Sequence, residues 1–471
     1  MKNHIIHNVY LELTTSSVAE AHELKDNIGS FLSTEVFPLL EKQIDAMDHG
    51  MSEYAIQLDK VHVEITEKGL RLNDDLKYTI VETIEEETQK AIKAIGDAQK
   101  HTEPLKNGKL LRKNEHELET FIHFLKTGTN PWWSQESITK LLTPKSFERL
   151  RATRDFSRRM LRVLGDKKVR NRIINQLTRE AIKELCVAMA KENDILEISD
   201  AIVQKIKKRP VIQQQHIWKE ILAAIASQKP IAIETLIETA KNAIGTSKVA
   251  VTKISQEKET KSDIDTRTPT LASKQPEEIE AKRLAKEAVK EILKEEHYQQ
   301  VEDSVEIVNQ YTQNAGLVLI HPFLKHFFGH CDLLDENKQL KDPEKCAHLL
   351  HYIATGKTKQ AESDMVFEKF LCNIPINQPI NRQVIITKKH KEQAHNLLNA
   401  VNENWGALKK SSHALLRNEF LQRLGKIEKN SSGITIVMEH KTQDILLRKL
   451  SWGMGLIRLP WKKDFIYVNW G

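Results

Sequence analysis

Two stretches of the chain contain residue types that could bind a nucleotide or a metal ion. The sequence ATGKT at residues 354–358 matches the end of a phosphate-binding loop, but His351 stands where that loop needs a glycine. It also follows a helical pattern rather than a strand, so we interpret Gly356 as a helix C-cap. The potential zinc ligands are His326, His330, Cys331, Cys346, His348 and His351. No two cysteines have zinc-finger spacing, so we expect core cysteines, partly exposed histidines and no metal or cofactor.

The sequence contains no pattern that predicts catalysis. There is no G-x-S-x-G motif of a nucleophilic serine. His390 and His395 are five residues apart and therefore miss the H-E-x-x-H spacing that places two zinc ligands on one helix face. We expect a non-enzymatic protein without catalytic residues.

The segment from Lys145 to Arg172 is strongly basic, with eleven basic residues and three acidic ones. Helical spacing predicts one electrostatic stripe, formed by Arg151, Arg154, Arg158 and Arg162. Such a stripe could bind an acidic partner or a nucleic-acid backbone, or it could be a solvated face. Because few aromatic residues are interleaved for base stacking, we expect no specific nucleic acid as a partner.

Composition sets the broad class. The 471 residues include 40% hydrophobic residues, and 71 basic against 65 acidic side chains give a net charge of +6. Four scattered cysteines do not predict a disulfide framework. The N-terminus lacks the apolar core of a secretory signal, and no run approaches 18 apolar residues. We expect a soluble protein made in the cytoplasm, without a membrane span.

Residues 1–96 predict a small α/β module. Apolar residues alternate over residues 5–13, recur at three-to-four spacing over residues 18–44, and alternate again over residues 56–65. This order predicts a β-α-β unit whose helix is kinked or divided by Pro38. Residues 76–95 add an amphipathic helix.

The rest of the chain is predicted to be mainly helical. Residues 97–245 start with a polar connector and continue as stacked helical hairpins, with Thr143 and Pro144 as one helix start. Residues 246–278 predict a flexible charged linker, and residues 279–314 a charged helix. Residues 315–471 predict a helical domain that ends in β-strands. The fold class is therefore mainly α, with small α+β modules at both ends.

The last domain contains four tryptophans, Trp405, Trp452, Trp461 and Trp470. The last three are spaced by nine residues in a segment whose alternation predicts two short strands around Pro460. Two interpretations are open, and they are compatible. The tryptophans could form a core cluster that closes the domain, or they could form a docking surface for a partner.

Several short motifs, taken in order, resemble the tape measure protein family of phage-tail-like contractile injection systems. At the N-terminal end they are IIHNVYLELT from Ile5, YAIQLDKVHVEI from Tyr54 and NPWW from Asn130. The later ones are HPFLKHFF, CAHLLHYIATG, NWGALKKSS, LRNEFLQRLGKI, DILLRKLSWG, LPW and YVNW, which start at His321, Cys346, Asn404, Leu416, Asp444, Leu459 and Tyr467.

The resemblance implies an assembly protein that occupies the inner tube and helps to set tube length. Its partners would be the inner tube protein, the baseplate hub and a tube terminator. It would be found in the bacterial cytoplasm during assembly and then within the particle. Residues 97–314 would span about 330 Å as one helix, which is short for a long tube. A terminal cap, chaperone or cargo adaptor of the same machine is the alternative, and a helical-repeat nucleic-acid-binding protein is a third.

Overall fold

Helices dominate the structure, and short strands lie near both ends of the chain. This computed structural model describes residues 5–15, 17–47, 54–66, 71–101, 108–134, 138–192, 198–229, 232–238, 240, 309–430 and 433–470. The mainly α fold class with small β modules is confirmed. The linker predicted over residues 246–278 and the charged helix predicted after it lie outside the described residues, apart from the last few positions before residue 315.

The chain divides into two units. Unit 1 consists of Met1–Ile122 and Asn130–Phe156, and unit 2 consists of His123–Thr129 and Ser157–Gly471. Unit 2 therefore contains residues from both sides of the 241–308 stretch. These limits differ from the predicted domains, which placed residues 97–245 and 315–471 in separate regions.

In unit 1, a helical stretch runs from Val18 to Met47. It consists of α1 (Val18–Phe31), a π-helical turn (Leu32–Val36) and α2 (Phe37–Met47). Pro38 lies in the first turn of α2, directly after the π turn. A proline lacks an N–H donor, and its ring crowds the carbonyl four residues earlier, so the helix widens locally at this point.

The long helix α3 (Asp74–His101) packs against α2. Their small shared core consists of Val36, Leu40 and Val81, which are at most 2% exposed. A two-stranded antiparallel sheet pairs β1 (Tyr54–Gln57) with β2 (Lys109–Arg112). The helices α4 (Lys113–Thr127) and α5 (Pro144–Arg151) follow, with a 3₁₀ turn (Ile138–Lys140) between them.

Of the two strands predicted from alternation in the N-terminal module, the first is not formed and the second forms only at its start, as β1. Residues 5–15 and 58–66 are irregular, and Tyr10 is 90% exposed. The partner of β1 is instead β2, which comes from the segment whose polar composition predicts a connector. Alternation defines the two faces of a strand, but the strand forms only where a partner backbone lies within hydrogen-bonding distance.

Unit 2 starts with a set of short helices. In chain order they are α6 (Phe156–Leu164), α7 (Lys167–Gln176), α8 (Arg179–Glu192), α9 (Asp200–Lys207) and α10 (Val211–Ser227). The last of them, α10, packs against α7, α8 and α9. Asp166 separates α6 from α7, because its side chain accepts the N–H of Lys168 at 2.7 Å and caps α7.

The C-terminal part of unit 2 is a helical domain with one sheet. Its helices are α11 (His321–His330), α12 (Pro343–Thr355), α13 (Val366–Leu371), α14 (Lys388–Asn404) and α15 (His413–Leu416). Short 3₁₀ or π segments cover Ala315–Ile320, Glu362–Met365, Gly406–Leu408, Arg417–Leu421 and Thr442–Lys449. Gly356 caps α12 at φ +74°, with its N–H on the Tyr352 carbonyl at 2.8 Å, so the C-cap interpretation is confirmed.

The sheet has five strands in the order β3-β4-β5-β7-β6. They are β3 (Gln310–Thr312), β4 (Gly425–Asn430), β5 (Gly433–Met438), β6 (Leu456–Ile457) and β7 (Ile466–Asn469). The β5–β7 pair is parallel and the other pairs are antiparallel. Strands β6 and β7 flank Pro460, so the two strands predicted for the tail are confirmed.

Candidate functional site

The four C-terminal tryptophans lie in or against the core of the C-terminal domain. Trp405, Trp461 and Trp470 are 0%, 3% and 8% exposed, and Trp452 is partly buried against the same core. Trp405 packs edge-on to Phe420, with ring centroids 4.7 Å apart. The core-cluster interpretation therefore describes their packing.

Three of the four indole N–H groups are satisfied by backbone carbonyls. Trp405 donates to Leu446 at 3.1 Å, Trp452 to Leu319 at 2.9 Å and Trp461 to Leu371 at 2.8 Å. Each bond joins segments that are far apart in the sequence. A ring held this way cannot turn outward without losing a buried hydrogen bond. Trp452 is the one tryptophan of the four that is only partly buried, and docking of a partner through these residues stays a prediction.

The four arginines of the predicted stripe do not lie on one helix, so that part of the prediction is wrong. Arg151 is the last residue of α5, Arg154 lies in the following turn, and Arg158 and Arg162 lie on α6. The turn contains Asp155 at φ +59°, a left-handed conformation that a helix cannot continue through.

The boundary between the two units falls directly after this turn. Arg151 and Arg154 belong to unit 1, whereas Arg158 and Arg162 belong to unit 2. Arg154, Arg158 and Arg162 are exposed. Their electrostatic role stays a prediction.

Of the histidines and cysteines singled out as possible metal ligands, His326 and His330 are exposed and the others are buried. His348 donates from Nε2 to the Asn381 carbonyl, 2.8 Å away, and burial lowers its pKa to about 4. All four cysteines are buried, and burial raises the pKa of Cys331 to about 11. Among the described residues, no group of three His, Cys, Asp or Glu side chains could hold a metal ion. None of the described helices is long and apolar enough to span a membrane.

A buried ionic cluster joins the short helices of unit 2 to its C-terminal domain. Arg172 on α7 donates from Nε and Nη2 to the two oxygens of Glu362, at 3.1 and 3.2 Å, across 190 residues of sequence. Both side chains are 0% exposed. The same guanidinium also donates to the carbonyls of Leu125 and Asn377. Such a two-pronged contact fixes both partners in orientation as well as distance.

A second cation completes this cluster. Lys369 on α13 is fully buried and donates to Glu362 Oε1 at 2.7 Å and to the Gln378 carbonyl at 2.7 Å. Burial lowers the pKa of the Lys369 ammonium, and the adjacent Glu362 opposes that effect. One carboxylate thus serves two buried cations, and backbone carbonyls supply the remaining acceptors.

Gln176, one turn after Arg172, extends the same junction. Its amide oxygen accepts the N–H of Glu362 at 3.0 Å, and its amide nitrogen donates to the Ile380 carbonyl at 2.7 Å. We call Arg172, Gln176, Glu362 and Lys369 the Glu362 cluster. Because its members come from both sides of the 241–308 stretch, it connects the two parts of unit 2.

Sequence reasoning missed the Glu362 cluster, although one signal was present. Lys369 and its neighbour Glu368 interrupt the apolar run MVFEKFLC, and charges inside such a run must be paired when the run is buried. Nothing in the sequence identifies Arg172 as a partner, since the contact depends on the tertiary fold.

Glu368 takes part in a second buried polar group. It accepts from Asn314 Nδ2 at 2.8 Å and lies 2.8 Å from His351 Nδ1. Asn314 has φ +56° and ends the turn that follows β3. This group holds the first residues after the 241–308 stretch against α12 and α13. His351 is therefore part of a structural contact rather than of a phosphate-binding loop.

A third buried contact fixes the end of the chain. The Arg423 side chain, 0% exposed, donates from Nη2 to Asp444 Oδ1 at 2.8 Å, and its guanidinium lies 5.4 Å from the Trp470 ring centroid. These contacts pair buried charges within the C-terminal domain.

Comparison with known families gave one match. A family model described as contractile injection system tape measure protein matches residues 3–470, nearly the whole chain. The search of curated proteins and the search of solved structures found no match.

Proposed function

This chain belongs to the family of contractile injection system tape measure proteins, and we propose that it occupies the inner tube during assembly and helps to set tube length. The observation that carries the proposal is the match over residues 3–470. The family role is structural, and we infer that the protein acts without catalysis. Its proposed partners are the inner tube protein, the baseplate hub and a tube terminator. Assembly in the bacterial cytoplasm, followed by a place within the particle, is part of the same proposal.

The short helices of unit 2 limit the length of tube that one folded copy can span. The longest of the unit 2 helices listed above is 17 residues and rises about 25 Å. The described part of residues 97–314 folds as separate helices, whereas one continuous helix over this range would be about 330 Å long. The ruler role therefore requires several copies, or the stretching of segments when they are threaded into the tube.

A deletion that tests tube length should leave the Glu362 cluster intact. A deletion inside residues 157–229 would remove part of unit 2 and so confound folding with length. Residues 246–278 lie outside the described residues and outside the Glu362 cluster as defined above. Their polar, linker-like composition makes them the better segment to shorten or duplicate.

The test is the tube length of particles made with altered versions of residues 246–278, measured by electron microscopy. If one chain spans the length it measures, deletion of these 33 residues shortens tubes by about 50 Å when the segment is helical and by about 110 Å when it is extended. Duplication lengthens tubes equally. A scrambled segment of the same length and composition is the control and leaves tube length unchanged. Unchanged length in otherwise normal deletion particles would contradict the ruler role.

A second candidate is a terminal cap, chaperone or cargo adaptor of the same machine. The observation that favours it is the C-terminal domain, where the sheet and the tryptophans share one core cluster. This candidate predicts that labelled protein is found at one end of the particle and that tube length is insensitive to the deletion. Label along the tube, with length following the deletion, would exclude it.

A further inference from the structure

The turn between α9 and α10 carries a local excess of positive charge. Lys205, Lys207, Lys208 and Arg209 fall within five positions, and the sequence contains no acidic residue from Ala201 to Lys219. Lys207 and Lys208 are exposed, whereas Lys205 is paired with Glu234 at 2.8 Å. We call residues 205–212 the basic turn.

Hydrogen bonds to buried residues fix the backbone of the basic turn. The buried Gln214 side chain donates from its amide nitrogen to the Lys207 carbonyl at 3.1 Å and to the Arg209 carbonyl at 2.7 Å. The N–H of Arg209 bonds to the carbonyl of Ile206, whose side chain is 0% exposed. A charged surface on a fixed backbone loses less conformational freedom on binding than one on a loose loop.

Two aliphatic side chains follow the charges after Pro210. Val211 is 45% exposed and Ile212 is 67% exposed at the start of α10. A phosphate backbone needs hydrogen-bond donors and cations, and aliphatic side chains add little to such a contact. The combination of cations with aliphatic groups fits a protein surface that offers carboxylates beside an apolar residue.

The helix α3 of the same chain offers such a surface. Glu82, Glu85 and Glu86 lie four, seven and eight residues after Tyr78, so the four side chains share one helix face. Tyr78 is 52% exposed, and no basic residue lies between Lys77 and Lys90. Lys90 is 4.0 Å from Glu86 and 2.8 Å from Glu87, which leaves Glu82 and Glu85 without a cation in a described ion pair. We call Glu82, Glu85 and Glu86 the acidic stripe.

We propose that the basic turn of one copy docks against the acidic stripe of a second copy. Lysines then face glutamates, while Val211 and Ile212 cover the exposed Tyr78 ring. The two surfaces differ, so the contact is heterologous and can repeat from copy to copy. Its small area and exposed charges make it weak and sensitive to salt. The proposal goes beyond the tape measure role, which stands or falls separately on tube length.

The test is self-association of the full-length protein by sedimentation velocity at about 50 mM and about 300 mM salt. We expect association at low salt that weakens at high salt. Lys207→Glu with Lys208→Glu lowers the association constant about tenfold or more, as does Glu82→Lys with Glu86→Lys. A mixture of the two double variants associates again, because each supplies the reversed surface that the other needs.

The control variant is Lys357→Glu with Lys359→Glu, which changes the net charge by the same amount on exposed residues elsewhere. It associates as the wild type does. Circular dichroism melting curves establish that every variant is folded. Absence of self-association at low salt, loss in the control, or failure of the mixed variants to associate would each overturn the proposal. Binding to DNA or anionic vesicles through the basic turn without self-association would also overturn it, and would assign the turn to a polyanion.

Discussion

Replacing Glu362 by glutamine tests the buried cluster that connects the two parts of unit 2. The substitution keeps the shape of the side chain and removes its charge. Arg172 and Lys369, which are both 0% exposed, then face each other without the carboxylate that separates them. The loss of one partner, rather than of a whole network, is the costly case for buried ions.

The expected magnitude follows from this burial. Breaking a buried pair by removing one partner costs about 3–5 kcal/mol of unfolding free energy, which is a large part of the stability of a typical domain. Because Lys369 loses its ionic partner, we expect Lys369→Met in the same chain to restore at least about 1 kcal/mol. The recovery is partial, since Arg172 still lacks its carboxylate.

The assay is urea unfolding of the full-length protein followed by tryptophan fluorescence and far-ultraviolet circular dichroism. Five of the seven tryptophans belong to unit 2, namely Trp218, Trp405, Trp452, Trp461 and Trp470, so the fluorescence signal reports mainly on that unit. The matched control is Glu234→Gln, which breaks the pair with Lys205 at 2.8 Å between side chains that are 74% and 58% exposed. We expect no measurable change there, because water and salt already screen this pair.

Two results would refute the reasoning. A loss below about 1 kcal/mol for Glu362→Gln would mean that the cations are stabilised by the surrounding carbonyls alone. A double variant as unstable as the single one would mean that Lys369 is not the group destabilised by losing the carboxylate.

Three further predictions concern the same unit. Burial lowers the pKa of His348 to about 4, so the unfolded chain takes up a proton below about pH 6.5 that the folded chain excludes. The unfolding free energy is therefore highest above that pH and falls by about 2 kcal/mol from pH 7 to pH 5. His348→Gln should reduce this pH dependence, measured by urea unfolding at several pH values, and an unchanged dependence contradicts the assignment. A Cβ on Gly316 would overlap the Phe420 carbonyl, so Gly316→Ala should lower unfolding free energy by about 1–3 kcal/mol. Gly329→Ala, with no heavy atom within 4 Å inside α11, should be neutral or stabilising by up to about 1 kcal/mol, and equal effects would disprove the clash. All four cysteines are buried, so a thiol reagent at about pH 8 should label none of them in the folded protein and all four in denaturant, and rapid native labelling would contradict their burial.

Local signals in the sequence were sufficient for much of the fold. Helix starts depend on a few neighbouring residues, so Thr143 with its hydroxyl 3.4 Å from the Ser146 nitrogen, followed by Pro144, was recognisable. Gly356 as a C-cap and the strands around Pro460 were also predicted from neighbouring residues and are confirmed. The ordered motifs at both ends indicated the family that the match over residues 3–470 confirms.

The same local reasoning failed where a partner or a single backbone angle decides the outcome. Residues 5–13 alternate as a strand should, yet they have no strand partner in the structure. The spacing from Arg151 to Arg162 predicts one continuous helix, but the left-handed backbone of Asp155 at φ +59° separates two helices there. Periodicity describes which face would be apolar, and it does not establish that the backbone keeps one conformation.

The sequence alone determined the fold class, two of the helix ends and the family, because periodicity, caps and motif order are properties of nearby residues. Only the tertiary structure decided that the tryptophans fill a core and that unit 2 includes both sides of the 241–308 stretch. Arg172 meets Glu362 across 190 residues, and Trp452 reaches the Leu319 carbonyl across 133. Contacts at such separations depend on how whole elements pack, and no window of neighbouring residues specifies them.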